Sequence, residues 1–555
     1  MYKGSCLKYL QSNTNYYILF GCLRARSIIQ GTVFYARFAM RRRKVLYFLG
    51  VLITLLIVAI PIARWSIFNT LERKLRDKIS SLASDGWVIT YDSLYSDYHQ
   101  GLLAVNGLVW RRTGSGADPS SDLVKAGEVR IKGLALIPLL LKSTIAVDQV
   151  IINDVRLSAN AKPDWFSTSG TTPEDDLRLT IARFRVNALN VCHQSDSVLV
   201  EAAAIDNLTI HTQIDRPVSI DATRIQLVHV DMAVEEGLYR LTARMLEYDM
   251  QDHSLKMDTV RIKPQLDRQE FAKYVGIERD RIEGVIPFVQ ITGLIFNREE
   301  SFSIRAEAIR LQGFLKFFRD KRLPHAGTYK PLPYLQMRVL PVKLHIDTIT
   351  IEKSYVEYEE YAESATGPGK ILFDDLTGTL ANVSNIDSGK LNISASARFM
   401  GTGLLRMSGE LNPTDKPSIL RGRLSSFELT HLNKMLEPMA AMRIESGRLH
   451  TLHFDLRFNE TNAHGSVLLN YNNLRMISLK SSGDGKNSGS GQDDIQTFIL
   501  NTFVIKRNMT DNLPPDKRTG TIYYERDKSR SIFNFWWKSV FAGIKSTLKI
   551  KSPKN

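Results

Sequence analysis

The residues that could do chemistry in this 555-residue chain are histidine pairs, a cysteine beside a histidine, and clustered carboxylates, and each set falls short of what its chemistry needs. His450 and His453, in HTLHF, lie three apart on an expected strand. Strict alternation puts them on opposite faces, which is wrong for shared metal ligation. Cys192 and His193 are adjacent but have no third partner in sequence to complete a nucleophile and its base. Asp374 and Asp375 offer two carboxylates, yet strand neighbours point apart, and FDDLTG reads as a turn. Glu357, Glu359, Glu360 and Glu363 fit a solvated edge that discourages pairing between sheets. The chain has no glycine-rich phosphate loop, HExxH pair or nucleophile elbow. The expectation is a protein that is not an enzyme and carries neither metal nor cofactor.

Charge and cysteine content narrow the partners. The formal charge is +15, with pI near 9.5, but no block of the body is both basic and interleaved with aromatics as a nucleic-acid face would be. No nucleic acid is expected. Cys6, Cys22 and Cys192 show neither metal nor redox spacing, so a disulfide framework is excluded. Asn-x-Ser/Thr triplets begin at Asn207, Asn382, Asn392, Asn459 and Asn508; they are glycan acceptors only in a secretory pathway.

The strongest local signal is VLYFLGVLITLLIVAIPIA, residues 45–63, which has the ~20 apolar residues of a membrane-spanning helix. Val45, Leu46, Phe48, Leu49, Leu55, Leu56, Ile57 and Ile60 form its apolar anchor. No small-residue cleavage pattern follows, which favours an uncleaved anchor over a leader. Arg41, Arg42, Arg43 and Lys44 favour a cytoplasmic N-terminus, opposed in part by the basic residues after the span. Residues 1–44 are then a cytoplasmic tail, with 1–39 either part of it or an over-extended start before Met40, and 64–84 a juxtamembrane helix.

Past Gly86 the pattern changes to period-two runs enriched in β-branched and aromatic residues, such as VKLHIDTITIEKSYVEY (342–358) and HTLHFDLRFN (450–459). Turn clusters such as NPTDKP (412–417) fit antiparallel neighbours. Helical stretches are few: RQEFAKYVG (268–276), the region of HLNKMLEPMAA (431–441), and the C-terminal end. No linkers separate sandwich-sized units, so one extended, curved antiparallel β-sheet is expected, divided into 85–335, 336–525 and a basic amphipathic helix over 526–555. An apolar sheet face without helices to cover it either curls into a trough or packs against its opposite wall.

AGEVRIKGLALIPLLLKSTIAVDQVIINDVRL (126–157) resembles the N-terminal signature of AsmA-like proteins. ILFDDLTGTLANVSN (371–385), GLLRMSGELNP (403–413), FELTHLNKMLEPMAAMRIESGRLHTLHFDL (427–456) and AHGSVLLNYNNLRM (463–476) then follow in the order of that family's C-terminal region. The resemblance implies an anchor in the inner membrane of a two-membrane bacterium, a β-rich body in the periplasm, and kinship with bridge-like lipid-transfer proteins. Membrane phospholipid, the inner membrane and other envelope proteins become the expected partners. Within 126–157, Leu134, Leu136, Ile137, Leu139 and Leu140 flank Pro138 and form the expected groove lip.

At the C-terminus, Phe533, Trp536, Trp537, Val540, Phe541, Ile544 and Leu548 project as one helical face beside Lys538, Lys545 and Lys549. Such a face either lies in a membrane interface or caps the last strands. The functional expectation is assistance of outer-membrane biogenesis or phospholipid transport through an apolar β-groove. The alternative is a non-transporting envelope scaffold that modulates outer-membrane protein assembly.

Overall fold

The computed structural model describes residues 66, 70, 73, 87–97, 101–112, 123–135, 144–158, 177–193, 196–213, 216–297, 302–386, 389–413, 416–479 and 507–548. The chain divides into two compact units, residues 1–81 with 96–102, and 82–95 with 103–555. In the first, Ser66, Thr70 and Arg73 are helical, and the Thr70 hydroxyl donates to the Ser66 carbonyl at 2.8 Å. The expected span at 45–63 and its basic flank at 41–44 lie outside the described residues. Among the described residues no helix is long and apolar enough to cross a membrane.

The second unit is mainly β. The chain's early strands are β1 (Trp87–Thr90), β2 (Ser93–Asp97), β3 (Leu102–Arg112), β4 (Leu123–Ala135), β5 (Thr144–Ser158), β6 (Leu177–His193), β7 (Asp196–Gln213) and β8 (Arg216–Asp221). Next come β9 (Arg224–Val234), β10 (Tyr239–Asp249), β11 (Ser254–Pro264), helix α1 (Arg268–Val275), β12 (Asp280–Thr292), β13 (Ile295–Asn297) and β14 (Ser303–Asp320). Helix α2 (Pro333–Arg338) precedes β15 (Lys343–Tyr361), β16 (Gly369–Ser384), β17 (Leu391–Phe399), β18 (Gly403–Leu411) and β19 (Ser418–Glu428). Helix α3 (Asn433–Ala440), β20 (Met442–Phe458), β21 (Asn462–Ser478), the single turn α4 (Pro515–Arg518), β22 (Thr519–Glu525) and α5 (Ile532–Thr547) complete it.

Neighbouring strands pair in one uninterrupted ladder from β4 to β22, and the expectation of an antiparallel sheet needs one correction: the sheet is mixed. β5 pairs parallel with β6, and β14 parallel with β15, whereas the other pairings among the described residues are antiparallel. The second parallel joint follows from the connection that makes it. Six antiparallel steps lead from β6 through β7, β9, β10, β11 and β12 to β14, so β14 runs in the direction of β6. The chain must return before it can add the next strand, and a parallel partner requires a crossover of a dozen or more residues. Residues 321–342, containing α2, supply it.

Left-handed residues sit within strands: Lys353 and Asp375 where the ladder shifts register, and Asp154, Ala188, His229 and Thr259 where it skips one pair and keeps its register. β8 and β9 lie against opposite halves of β7, as one strand broken at residues 222–223. β13 continues β12 in the same way along β14. Bulges bend and twist a strand, and so give the long sheet its curl. The short helices follow local signals. α1 begins at a capping box, Asp267 with Glu270, and ends at Gly276 in the left-handed conformation.

The crossover is tied to the segment between β22 and α5. The Lys330 amide donates to the Lys528 carbonyl at 2.8 Å, and Tyr329 donates to Glu460 at 2.7 Å. The Arg526 side chain, fully buried, reaches both Glu460 and the Lys330 carbonyl. Glu278, two residues before β12, is held by Arg530 of that segment and by His325 of the crossover, the latter at 2.9 Å. Leu332 of the crossover has no exposed surface and belongs to the main core.

Candidate functional site

Directly opposed residues in paired strands share a face, so the register traces rows across the sheet. One row runs Ile131, Val150, Phe184, Ile205, Ile225, Tyr248, Leu255, Ile291, Ile309 from β4 to β14. It continues Ile349, Leu380, Ile393, Gly409, Leu420, Leu456, Gly465, Ile522 to β22. The row two residues along every strand begins Val129, Ile152, Val186, Ala203, Leu227, Leu246, Met257, Val289, Leu311 and Ile351. It ends Gly378, Ala395, Met407, Gly422, Phe454, Val467 and Gly520. Neither row contains a charged residue. At ~4.8 Å per strand, these rows extend on the order of 75 Å along the sheet.

The row between them faces the other way and is its chemical opposite. It reads Gln226, Glu247, Lys256, Gln290, Arg310, Thr350, Thr379, Ser394, Ser408, Arg421, Asp455, Ser466, Thr521 from β9 onward. Period-two alternation in each strand and an unbroken register between strands are jointly required for this, since a one-residue slip would turn a strand's apolar set to the polar face.

Burial along the apolar rows changes from one end to the other. From β9 to β18 their members are half-buried. From β19 onward they disappear from solvent: Leu420 is 2% exposed, Leu456 0% and Ile522 1%. Helix α5 provides the cover at that end, packing on β21 and β22. Its contact row was not the expected one. Phe535, Ser539, Gly543 and Thr547 are the buried positions. A Cβ on Gly543 would lie 2.4 Å from Val467 and 2.8 Å from Ile522, so a residue without one lets helix and sheet approach. The buried Ser539 and Thr547 hydroxyls donate to the carbonyls four residues back, which satisfies them inside an apolar contact.

The seven-residue face expected from the sequence is therefore split. Trp536, Val540, Ile544 and Leu548 flank the buried row and pack on the core, whereas Phe533 is 71% and Trp537 40% exposed. Trp537 stacks on Phe541 at 5.4 Å between ring centres, and the Lys545 ammonium sits over Phe541. Ser546 accepts from the Thr521 amide of the last strand, a bond that caps the sheet edge. Lys549 lies outside the described residues.

Of the expected groove lip, Leu134 is the penultimate residue of β4, buried and opposite Val147 of β5; Leu136, Ile137, Leu139 and Leu140 lie outside the described residues. Three readings of polar residues change. The ladder shifts register between Leu449 and Thr451, Leu449 and Leu452 are both buried, and His450 and His453 consequently share the polar face. Asp374 and Asp375 lie within β16, with Asp375 left-handed at a bulge and paired to Arg398, not in a turn. β15 is paired on both sides, so the glutamates do not line an edge: Glu357 and Glu359 are buried and share Lys370 at 3.0 and 2.8 Å. Burial pushes the Glu357 carboxyl up, but hydrogen bonds from Tyr355 and Lys370 outweigh it and hold the group below its ordinary value. Cys192 is exposed, and its thiol donates to the Asn190 side chain at 3.3 Å. Among the described residues no group of three potential ligands is placed to hold a metal ion.

No family model matches the chain, and no curated protein does either.

Proposed function

We propose that this is an envelope protein of the AsmA-like type, anchored in the inner membrane by residues 45–63, whose sheet carries phospholipid acyl chains on its apolar face in the periplasm. One observation carries the reading: two adjacent in-register rows, apolar or glycine at every position from β4 to β22, left half-buried between β9 and β18. A soluble sheet normally covers such a face with helices or a second sheet. Acyl chains supply an equivalent cover at about 0.8 kcal/mol per buried CH₂, with no specific polar site. Direction then comes from a gradient or a partner, and the polar opposite face stays in water.

A photo-crosslinking amino acid placed in the full-length protein tests this face by face. At Ile225 or Ile291 it is expected to capture phospholipid; at Gln226 or Gln290, one residue away on the polar face, it is not. Equal capture at all four positions, or none at any, would overturn lipid carriage and leave the scaffold as the better reading.

A further inference from the structure

The polar face of the C-terminal strands carries a hollow of its own, an open trough of about 1120 Å³. A twisted sheet is saddle-like, so both faces can be locally concave. Serine and threonine hydroxyls such as Thr377 and Ser396 line its floor, hydrogen-bonded to each other at 2.8 Å. Across it, in directly opposed register, stand Ser396, Arg406, Arg423 and His453 on β17 to β20. Opposed side chains start about 5 Å apart, and like charges so placed repel. Neighbouring cations on this face are neutralised: Arg421 by Asp455 at 2.7 Å and Arg310 by Glu352 at 2.7 Å. Arg406 and Arg423 are exposed, and among the described residues neither has a carboxylate partner. Burial and the Arg423 charge both lower the proton affinity of His453, which stands neutral beside them as a hydrogen-bond donor or acceptor.

We propose that Arg406 and Arg423 form a binding site for a phosphoryl group, with Ser396 and His453 as its hydrogen-bonding flanks. Two guanidinium groups facing one trough present paired donors to a tetrahedral oxyanion, and an anion between them converts their repulsion into two charge-assisted contacts. The site lies on the face opposite the apolar rows and does not depend on lipid carriage there. The phosphoryl group belongs either to a small soluble ester or to the headgroup of a phospholipid.

Calorimetric titration of the detergent-solubilised full-length protein distinguishes these sources, with inorganic phosphate, glycerol 3-phosphate and a short-chain phosphatidylglycerol below its micelle concentration as probes. Arg406→Gln and Arg423→Gln are each expected to weaken binding roughly tenfold, the effect of one lost charged hydrogen bond. Arg398→Gln, whose arginine pairs with Asp375, is expected to leave it unchanged. Because either trough variant also removes a like-charge pair, its melting temperature without phosphate is expected to be equal to or above the parent's, which separates lost binding from lost fold. Binding of the two soluble probes that depends on both arginines supports a soluble ester, and binding of the lipid probe alone with that dependence supports a headgroup. No saturable binding by any probe beyond a chloride control of equal ionic strength, or binding that persists in both variants, overturns the site.

Discussion

The strands from β4 to β15 and those from β16 to β22 follow one register but treat their shared apolar face differently. In the first set, the twenty row positions include no glycine and are mostly valine, isoleucine and leucine. In the second, Gly378, Gly409, Gly422, Gly465 and Gly520 interrupt the rows. At these glycines a Cβ would press on a neighbouring strand, ring or helix. A Cβ on Gly422 would meet the Phe454 ring at 2.2 Å, and one on Gly520 the Gly543 carbonyl of α5 at 2.2 Å. The C-terminal strands therefore fill their own face, with α5 and the crossover closing it. The strands before them present branched side chains and, from β9 to β15, leave them half-exposed. The same alternation thus builds a packed core at one end and, among the described residues, a half-exposed apolar surface from β9 to β15.

The contrast can be broken at several points. The largest effect is expected from Arg526→Ala, which strips Glu460 of its buried partner and unties the crossover from the β22–α5 segment. Loss of one member of a buried pair costs about 3–5 kcal/mol, read by chemical denaturation. A loss below ~1 kcal/mol, the range of exposed pairs, would show that the closure is not held there. Next come matched truncations on one row. Leu456→Ala, fully buried, is expected to cost about 2–5 kcal/mol, and Ile225→Ala, half-exposed in β9, roughly half of that or less. Equal losses would mean that the two sets of strands are packed alike. Gly543→Val should then cost about 1–3 kcal/mol by overpacking α5 against Val467 and Ile522. An unchanged denaturation midpoint would show that the helix can lift without penalty.

The smallest effect is a pH dependence at the junction of the two sets. The Glu357 carboxyl is held below its unfolded value, so its contribution to stability is complete above that value and is lost as pH falls through the lower, folded one. Hydrogen-exchange protection of the β15–β16 pairing near Glu357 and Lys370 should fall below about pH 4, and Glu357→Gln should flatten that fall. Unaltered acid sensitivity in the variant would remove Glu357 as its cause.

Much of the architecture was legible from residue order. Alternation marked the strands, and RQEFAKYVG over 268–276 marked α1. What misled was any inference that assumed unbroken alternation or an exposed edge. His450 and His453 share a face because a bulge between them resets the count, and no local residue type announces that bulge. Glu357 and Glu359 look like solvated charges until β14 and β16 are placed on either side of them. On α5, the apolar projection left out Phe535, the aromatic residue of the buried row, and the close approach to β22 is made by Gly543 and Thr547. A helix lies nearest a sheet where its side chains are smallest, a steric criterion that an apolar projection does not contain.

The sequence by itself determined that this chain is β-rich, that each strand has one apolar and one polar side, and that its best candidate for a membrane span lies at 45–63, because these follow from the period and composition of contiguous residues. Tertiary structure alone decided that the apolar sides align from β4 to β22, that two joints are parallel, and that α5 covers one end of the face. Those outcomes depend on register, strand connection and close approach between residues far apart in the chain, which no local pattern encodes.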